Sequence, residues 1–195
     1  MEIKLIFGVA STVLSIAAFG PYLYDIFKGN TKPHMYSWLV WAILQTIGAI
    51  AQVRDGAGYG ALVLTLGAVI CVSIFILSFK YGTKDISVFD KWCLFFAIGA
   101  IILYFFLHEA LLSVILISIV DFVGFLPTYR KTFNDPSSEL WSAWALAGGG
   151  YLASIIAMGH YSAITLLYTL SAFIGNFILV SIILIRRKKG SQVPF

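Results

Sequence analysis

Charge is scarce in this chain. Asp, Glu, Lys and Arg make up only 11% of its 195 residues, while 60% are hydrophobic. A soluble domain of this size carries about a quarter charged residues, so the composition argues against a water-exposed fold. Cysteine is nearly absent. Cys71 and Cys93 both fall inside apolar runs and read as small buried hydrophobes, not as a disulfide or a metal pair. No soluble domain or low-complexity tract interrupts the pattern. There is no Ser-His-Asp set, metal cluster or phosphate loop. His34, His108 and His160 lie near the ends of apolar runs and far apart in sequence. The chain therefore reads as no enzyme, with no cofactor. The last apolar run holds no Lys before the terminal basic tail, which argues against a retinal Schiff base.

What is abundant is apolar sequence in runs long enough to cross a bilayer, which takes roughly 20 residues per helix. Seven spans are expected, near 4–27, 35–53, 59–80, 88–107, 109–131, 137–157 and 161–186, the fourth and fifth parted by a short turn around His108. The first has Lys4 and the small pair Ala17-Ala18, as a signal peptide would. It continues unbroken into Pro21-Tyr22 and has a counterpart in the fifth span, so it is read as a span.

Lys28, Lys32, Lys80, Lys84, Lys91, Arg130, Lys131 and the tail Arg186-Arg187-Lys188-Lys189 fall on one side, against Lys4 and Arg54 on the other. The positive-inside rule then puts the N-terminus outside and the C-terminus in the cytoplasm, which needs an odd number of spans. The net charge of +4 reflects this orientation and makes no case for nucleic acid. The expected location is the cytoplasmic membrane of a prokaryote. The expected partners are a small solute and membrane lipid, with a homo-oligomer as an option.

The membrane pattern occurs twice. Pro33, Trp38, Trp41 and Ala42 recur as Pro136, Trp141, Trp144 and Ala145. Phe19 and Pro21 recur as Phe125 and Pro127. Thr65, Leu66, Ala68 and Ile70 recur as Thr169, Leu170, Ala172 and Ile174, at offsets of about 103 to 106 residues. The expected fold is all-α and membrane-integral: seven transmembrane helices, with two parallel three-helix repeats (1–82 and 109–187) joined by an inversion linker helix (83–108), then a basic tail (188–195). Asp135 and Pro136 suit the N-cap and first position of the sixth helix. A duplicated membrane unit places a substrate path on the axis between its copies.

Phe19-Gly20-Pro21-Tyr22 and Phe125-Leu126-Pro127-Thr128 each put a proline near one end of a span, followed by a short basic loop and a new helix. With the three-one-three repeat and Asn176 in the last span, the chain resembles the SWEET and PQ-loop transporter superfamily over its whole length. The Trp-x-x-Trp pairs are also similar to those of vitamin-transporting PnuC relatives. The family's Pro-Gln pair is Pro21-Tyr22 and Pro127-Thr128 here, and Asn176 aligns with Val72 or Ser73. The resemblance implies two bundles that rock about a central path. It makes a sugar the first-guess solute, with amino acids and pyridine-type vitamins next.

Polar and aromatic residues fall on helix stripes with three-four spacing: Ser15, Ala18 and Tyr22; Trp38, Trp41, Gln45, Gly48 and Gln52; Asp121, Gly124 and Thr128; Trp141, Trp144, Gly148 and Tyr151; Thr165, Thr169, Ala172 and Asn176. The expected pathway residues are Trp38, Trp41, Gln45, Asp121, Trp141, Trp144 and Asn176. Asp121, deep in a span, is the sharpest signal: a proton or cation relay, a substrate ligand, or an acid paired locally. Asn176 and Gln45 suit substrate binding or interhelical hydrogen bonding equally. The tryptophans fit either the path or an interfacial belt. Gly148-Gly149-Gly150 favours close helix packing. Pro21 and Pro127 are hinge candidates. Asp25 and Lys131, equivalent across the repeat, form a candidate gate pair. A receptor without transport activity is the reading from another class.

Overall fold

The computed structural model describes residues 2–106 and 110–190. Every described element is helical: α1 (Glu2–Lys28), α2 (Met35–Arg54), a 3-10 turn (Gly58–Ala61), α3 (Leu62–Tyr81), α4 (Val88–Tyr104), α5 (Ala110–Asn134), α6 (Trp141–Ala157) and α7 (Ala163–Gly190). The turn around His108 and the last five residues of the tail lie outside the described residues.

Among the described residues, four segments are long and apolar enough to cross a membrane: Glu2–Lys28, Met35–Arg54, Gly58–Tyr81 and Thr165–Lys188. α4 and α6 run 17 residues each, about 25 Å at the rise of an α-helix. Large apolar side chains such as Ile3, Val13, Ile76, Phe95, Phe96 and Phe177 are exposed on the outer surface. So broad an apolar surface is foreign to a soluble monomer and natural against lipid.

Within the first half the packing order is α1–α3–α2, and within the second it is α5–α7–α6. The halves meet along α1 with α6 and α2 with α5, while α4 lies on α5 and the edge of α2. The six helices thus form a ring in which each contact has its counterpart across the repeat. The two seams are unequal. α1 against α6 is the more extensive, because α6 offers bare backbone there. A Cβ at Gly150 would sit 3.3 Å from the Ser11 carbonyl oxygen and 3.3 Å from Ser15 Oγ. The hydroxyls of Ser11 and Ser15 bond back to Gly8 O (2.8 Å) and Ser11 O (2.9 Å), so the seam leaves neither unpaired.

Helix starts use different devices. Ser87 and Asp90 form a reciprocal capping box on α4. Ser162 and Thr165 do the same ahead of α7, at 2.9 and 3.1 Å. The expected cap of the sixth helix is corrected. Asp135 Oδ1 accepts the Ser137 N–H at 3.1 Å and its hydroxyl too. With its carboxylate occupied by that turn, Asp135 does not cap α6. The helix begins later, at Trp141, with Leu140 as N-cap.

Candidate functional site

On the axis of the ring lies a cavity of about 20 Å³, to which all six ring helices contribute. α1 supplies Phe19 and α3 supplies Cys71. α2 brings Trp38, Trp41 and Gln45, and α5 brings Asp121 and Phe125. α6 adds Trp144, Ala147 and Tyr151, and α7 adds Ala172 and Asn176. The space suits about one water molecule.

Six of the seven expected pathway residues meet here. Trp141 does not: it sits in the first turn of α6, beyond the packed part of the ring, and stays 41% exposed. Trp38, Trp41 and Trp144 are buried, which removes them from any interfacial belt. Their ring centroids lie 5.3 Å (Trp38–Trp41), 5.9 Å (Trp38–Trp144) and 5.7 Å (Trp41–Trp144) apart, with Phe125 4.6 Å from Trp41. These are edge and tilted contacts of the kind aromatic pairs prefer. Gly124 makes room for them, since a Cβ there would meet Trp41 Nε1 at 3.3 Å.

The polar groups behave differently from one another. Gln45 is turned toward α3. Its Nε2 lies 3.0 Å from Cys71 Sγ, and its Oε1 occupies the space left by the missing side chain of Gly67. Asn176 Nδ2 donates to Ala172 O at 2.7 Å, and its Oδ1 accepts nothing. Asp121 is 1% exposed; Ser171 Oγ donates to its Oδ2 at 2.9 Å. Among the described residues no Lys, Arg or His forms an ion pair with it.

The basic end of the ring, where residues 28–35 and 130–141 gather, is closed by a residue that the sequence did not single out. Glu139 is 1% exposed. Its carboxylate accepts from Trp144 Nε1 at 2.8 Å, from Tyr22 Oη at 3.4 Å and from Lys131 Nζ. Lys131 also donates to Lys32 O at 2.8 Å. The expected Asp25–Lys131 gate is therefore corrected: Lys131 pairs with Glu139, and Asp25 takes a long 3.5 Å contact from Asn30 Nδ2. The signal for Glu139 was an acid just ahead of an apolar run.

Pro21 and Pro127 lie inside α1 and α5, which continue past them. The residue after each proline reaches across a seam. Tyr22 bonds Glu139, and Thr128 Oγ1 donates to Ser37 Oγ at 2.9 Å. Beside this closure, Arg130 bonds Asp90 at 3.0 and 2.7 Å and Asp85 at 3.1 Å, tying α5 to the start of α4. His34 Nε2 lies 3.4 Å from Asp90. Burial pushes the His34 imidazole down to about 4, against the opposing pull of Asp90. In the loop, the hydrogen bonds from Ser137 hold Asp135 below the usual carboxylate range.

The opposite end is closed by bonds from α2 and the turn after it to α6, α7 and the loop between them. Gln52 Nε2 donates to Thr165 O and Thr169 Oγ1, both at 2.8 Å. Ser162 Oγ donates to Asp55 at 2.6 Å, Ser154 Oγ to Gly60 O at 2.7 Å, and Gly159 N to Ala57 O at 3.1 Å. The ring thus holds a small aromatic chamber shut at both ends. No protein-family model matches the chain, and neither a curated protein nor a solved structure matches it.

Proposed function

We propose that the chain is a membrane transporter that moves a small polar solute by alternating access. The observation that carries this reading is the chamber itself, lined by every helix of two repeated three-helix units and closed at both ends by bonds between those units. A fixed pore has no use for two closures; two units that rock about a shared site do. The space for about one water makes this the occluded form, so a larger solute enters only as a seam opens.

On this reading all seven helices span the membrane, with residues 83–108 linking the repeats 1–82 and 109–187. The basic end faces the cytoplasm and the N-terminus lies outside. Pro21 and Pro127 then serve as hinges beside the closure they help to build. The likeness to SWEET and PQ-loop proteins makes a sugar the first solute to try. The buried carboxylate of Asp121 favours one alternative, a proton- or cation-coupled carrier of an amino acid or vitamin.

The test is counterflow of labelled glucose into liposomes, with and without an inward proton gradient. Uptake insensitive to pH supports a sugar uniporter. Uptake raised by the gradient makes Asp121 the coupling residue. No uptake of glucose, amino acids or vitamins overturns the transporter reading and leaves a receptor of the same architecture.

A further inference from the structure

We infer that the chamber binds an ammonium group, with Asp121 and Asn176 Oδ1 as its acceptors and the indole rings as its walls. This inference rests on the chamber serving as a transporter's solute site and names the chemistry of that solute. It departs from the sugar suggested by resemblance, for reasons within the chamber.

Asp121 is the only acidic side chain lining the chamber, and none of the described basic residues pairs with it. The Ser171 hydroxyl answers one oxygen with a neutral dipole. An ammonium group would let Asp121 bind as the carboxylate, whereas a neutral sugar offers it no counter-charge. Asn176 supplies the second observation. It is 3% exposed and lines the same chamber. Because its N–H₂ is bound back to its own helix, what it offers is a carbonyl oxygen without a donor.

The walls select among cations. Trp38, Trp41, Trp144 and Phe125 surround the space, and aromatic faces attract ammonium groups. A hard ion such as calcium takes about six to eight oxygen ligands, more than the side chains of Asp121, Asn176, Gln45 and Tyr151 supply here. An ammonium needs only a few acceptors for its N–H bonds and is content against rings. In this closed form the chamber, about the size of one water, holds an ammonium headgroup without opening.

Binding is read from tryptophan fluorescence of the purified chain in detergent, which requires no flux. The probes are methylammonium chloride, ammonium chloride, glycine, glucose and sodium chloride, at matched ionic strength. The expected result is a saturable change with one or more of the first three, and none with glucose or sodium. The relative affinities of the three show whether a free ion, an amine or an amino acid is the source of the group. Asp121→Asn is isosteric and removes the charge, so the apparent Kd rises at least tenfold; Asn176→Leu raises it by a smaller factor. Asp25→Asn removes a carboxylate outside the chamber and keeps binding, and an unchanged Tm for Asp121→Asn separates loss of the carboxylate from loss of the fold. A saturable response to glucose but not to the nitrogen compounds overturns the inference and leaves transport standing. So does a methylammonium response that Asp121→Asn leaves unchanged. Binding of methylammonium with no flux of any probe upholds the inference while removing the transporter reading.

Discussion

Trp144 and Glu139 meet through a 2.8 Å hydrogen bond from the indole N–H to the carboxylate, across the start of α6. The same indole is a wall of the chamber, and the same carboxylate holds Lys131 and Tyr22. One side chain thus belongs to both the chamber and the closure of the basic end. If the chamber takes a solute, one that moves this ring also disturbs the closure.

Glu139→Gln leaves Lys131 buried without its counter-charge. The expected cost is about 3 kcal/mol, with a lower Tm in detergent and easier quenching of Trp144 by acrylamide. Adding Lys131→Met to Glu139→Gln removes the stranded charge, and stability returns most of the way. A double variant no better than the single one contradicts this account.

Asp25→Asn is expected to change stability by less than about 0.5 kcal/mol, since among the described residues no ion pair ends on Asp25. A loss comparable to that of Glu139→Gln would restore the gate read from the repeat.

Gly150→Val drives a branched side chain into the Ser11 carbonyl and Ser15 Oγ and wedges α1 from α6. The expected cost is about 1–3 kcal/mol, seen as a drop in Tm. Gly149→Ala is the control, because its nearest neighbour is Leu14 Cδ1 at 3.7 Å. Equal effects at both positions would show that helix propensity, not the seam, is being measured.

His34 gives the stability a pH dependence. Its native value of about 4 lies below the unfolded value of about 6.5, so the unfolded chain binds the extra proton between them. The stabilising contribution is complete above about pH 6.5 and is lost as pH falls toward 4, on the order of 3 kcal/mol in all. Asp135, held below its ordinary value, adds a loss only at more acid pH. Tm measured from pH 7 to 4.5 should fall, and His34→Gln should flatten that slope.

If protons drive uptake, Asp121→Asn abolishes the response to an inward proton gradient in liposomes. A gradient response that survives the substitution assigns coupling elsewhere.

The apolar runs and the Trp-x-x-Trp recurrence made seven helices and an aromatic interior legible, because both rest on local spacing. The start of α6 was not. Asp135-Pro136 has the composition of a helix start, and only the claim of Ser137 on that carboxylate shows otherwise. Lys131 was matched with Asp25 because repeat alignment finds equivalent positions. Equivalent residues touch only when both lie on the axis, and these do not. The partner of Lys131 sits in a loop, where no periodicity marks which way Glu139 turns. Gln45 illustrates the same limit: its helix face was readable, but its engagement with Gly67 and Cys71 depends on how closely α3 approaches.

The unequal seams set how such a ring can move. Where α1 and α6 touch backbone to backbone there is little side-chain slack to take up, so relative motion of the halves becomes rotation about that line. Displacement then grows with distance from it, like the swing of a leaf about its pin, and is greatest at α2, α5 and the α4 helix carried on α5. If all seven helices cross a bilayer, α4 sweeps through the most lipid. Turnover of a transporter built this way should therefore respond to acyl-chain order and membrane thickness through a helix that contributes nothing to the chamber.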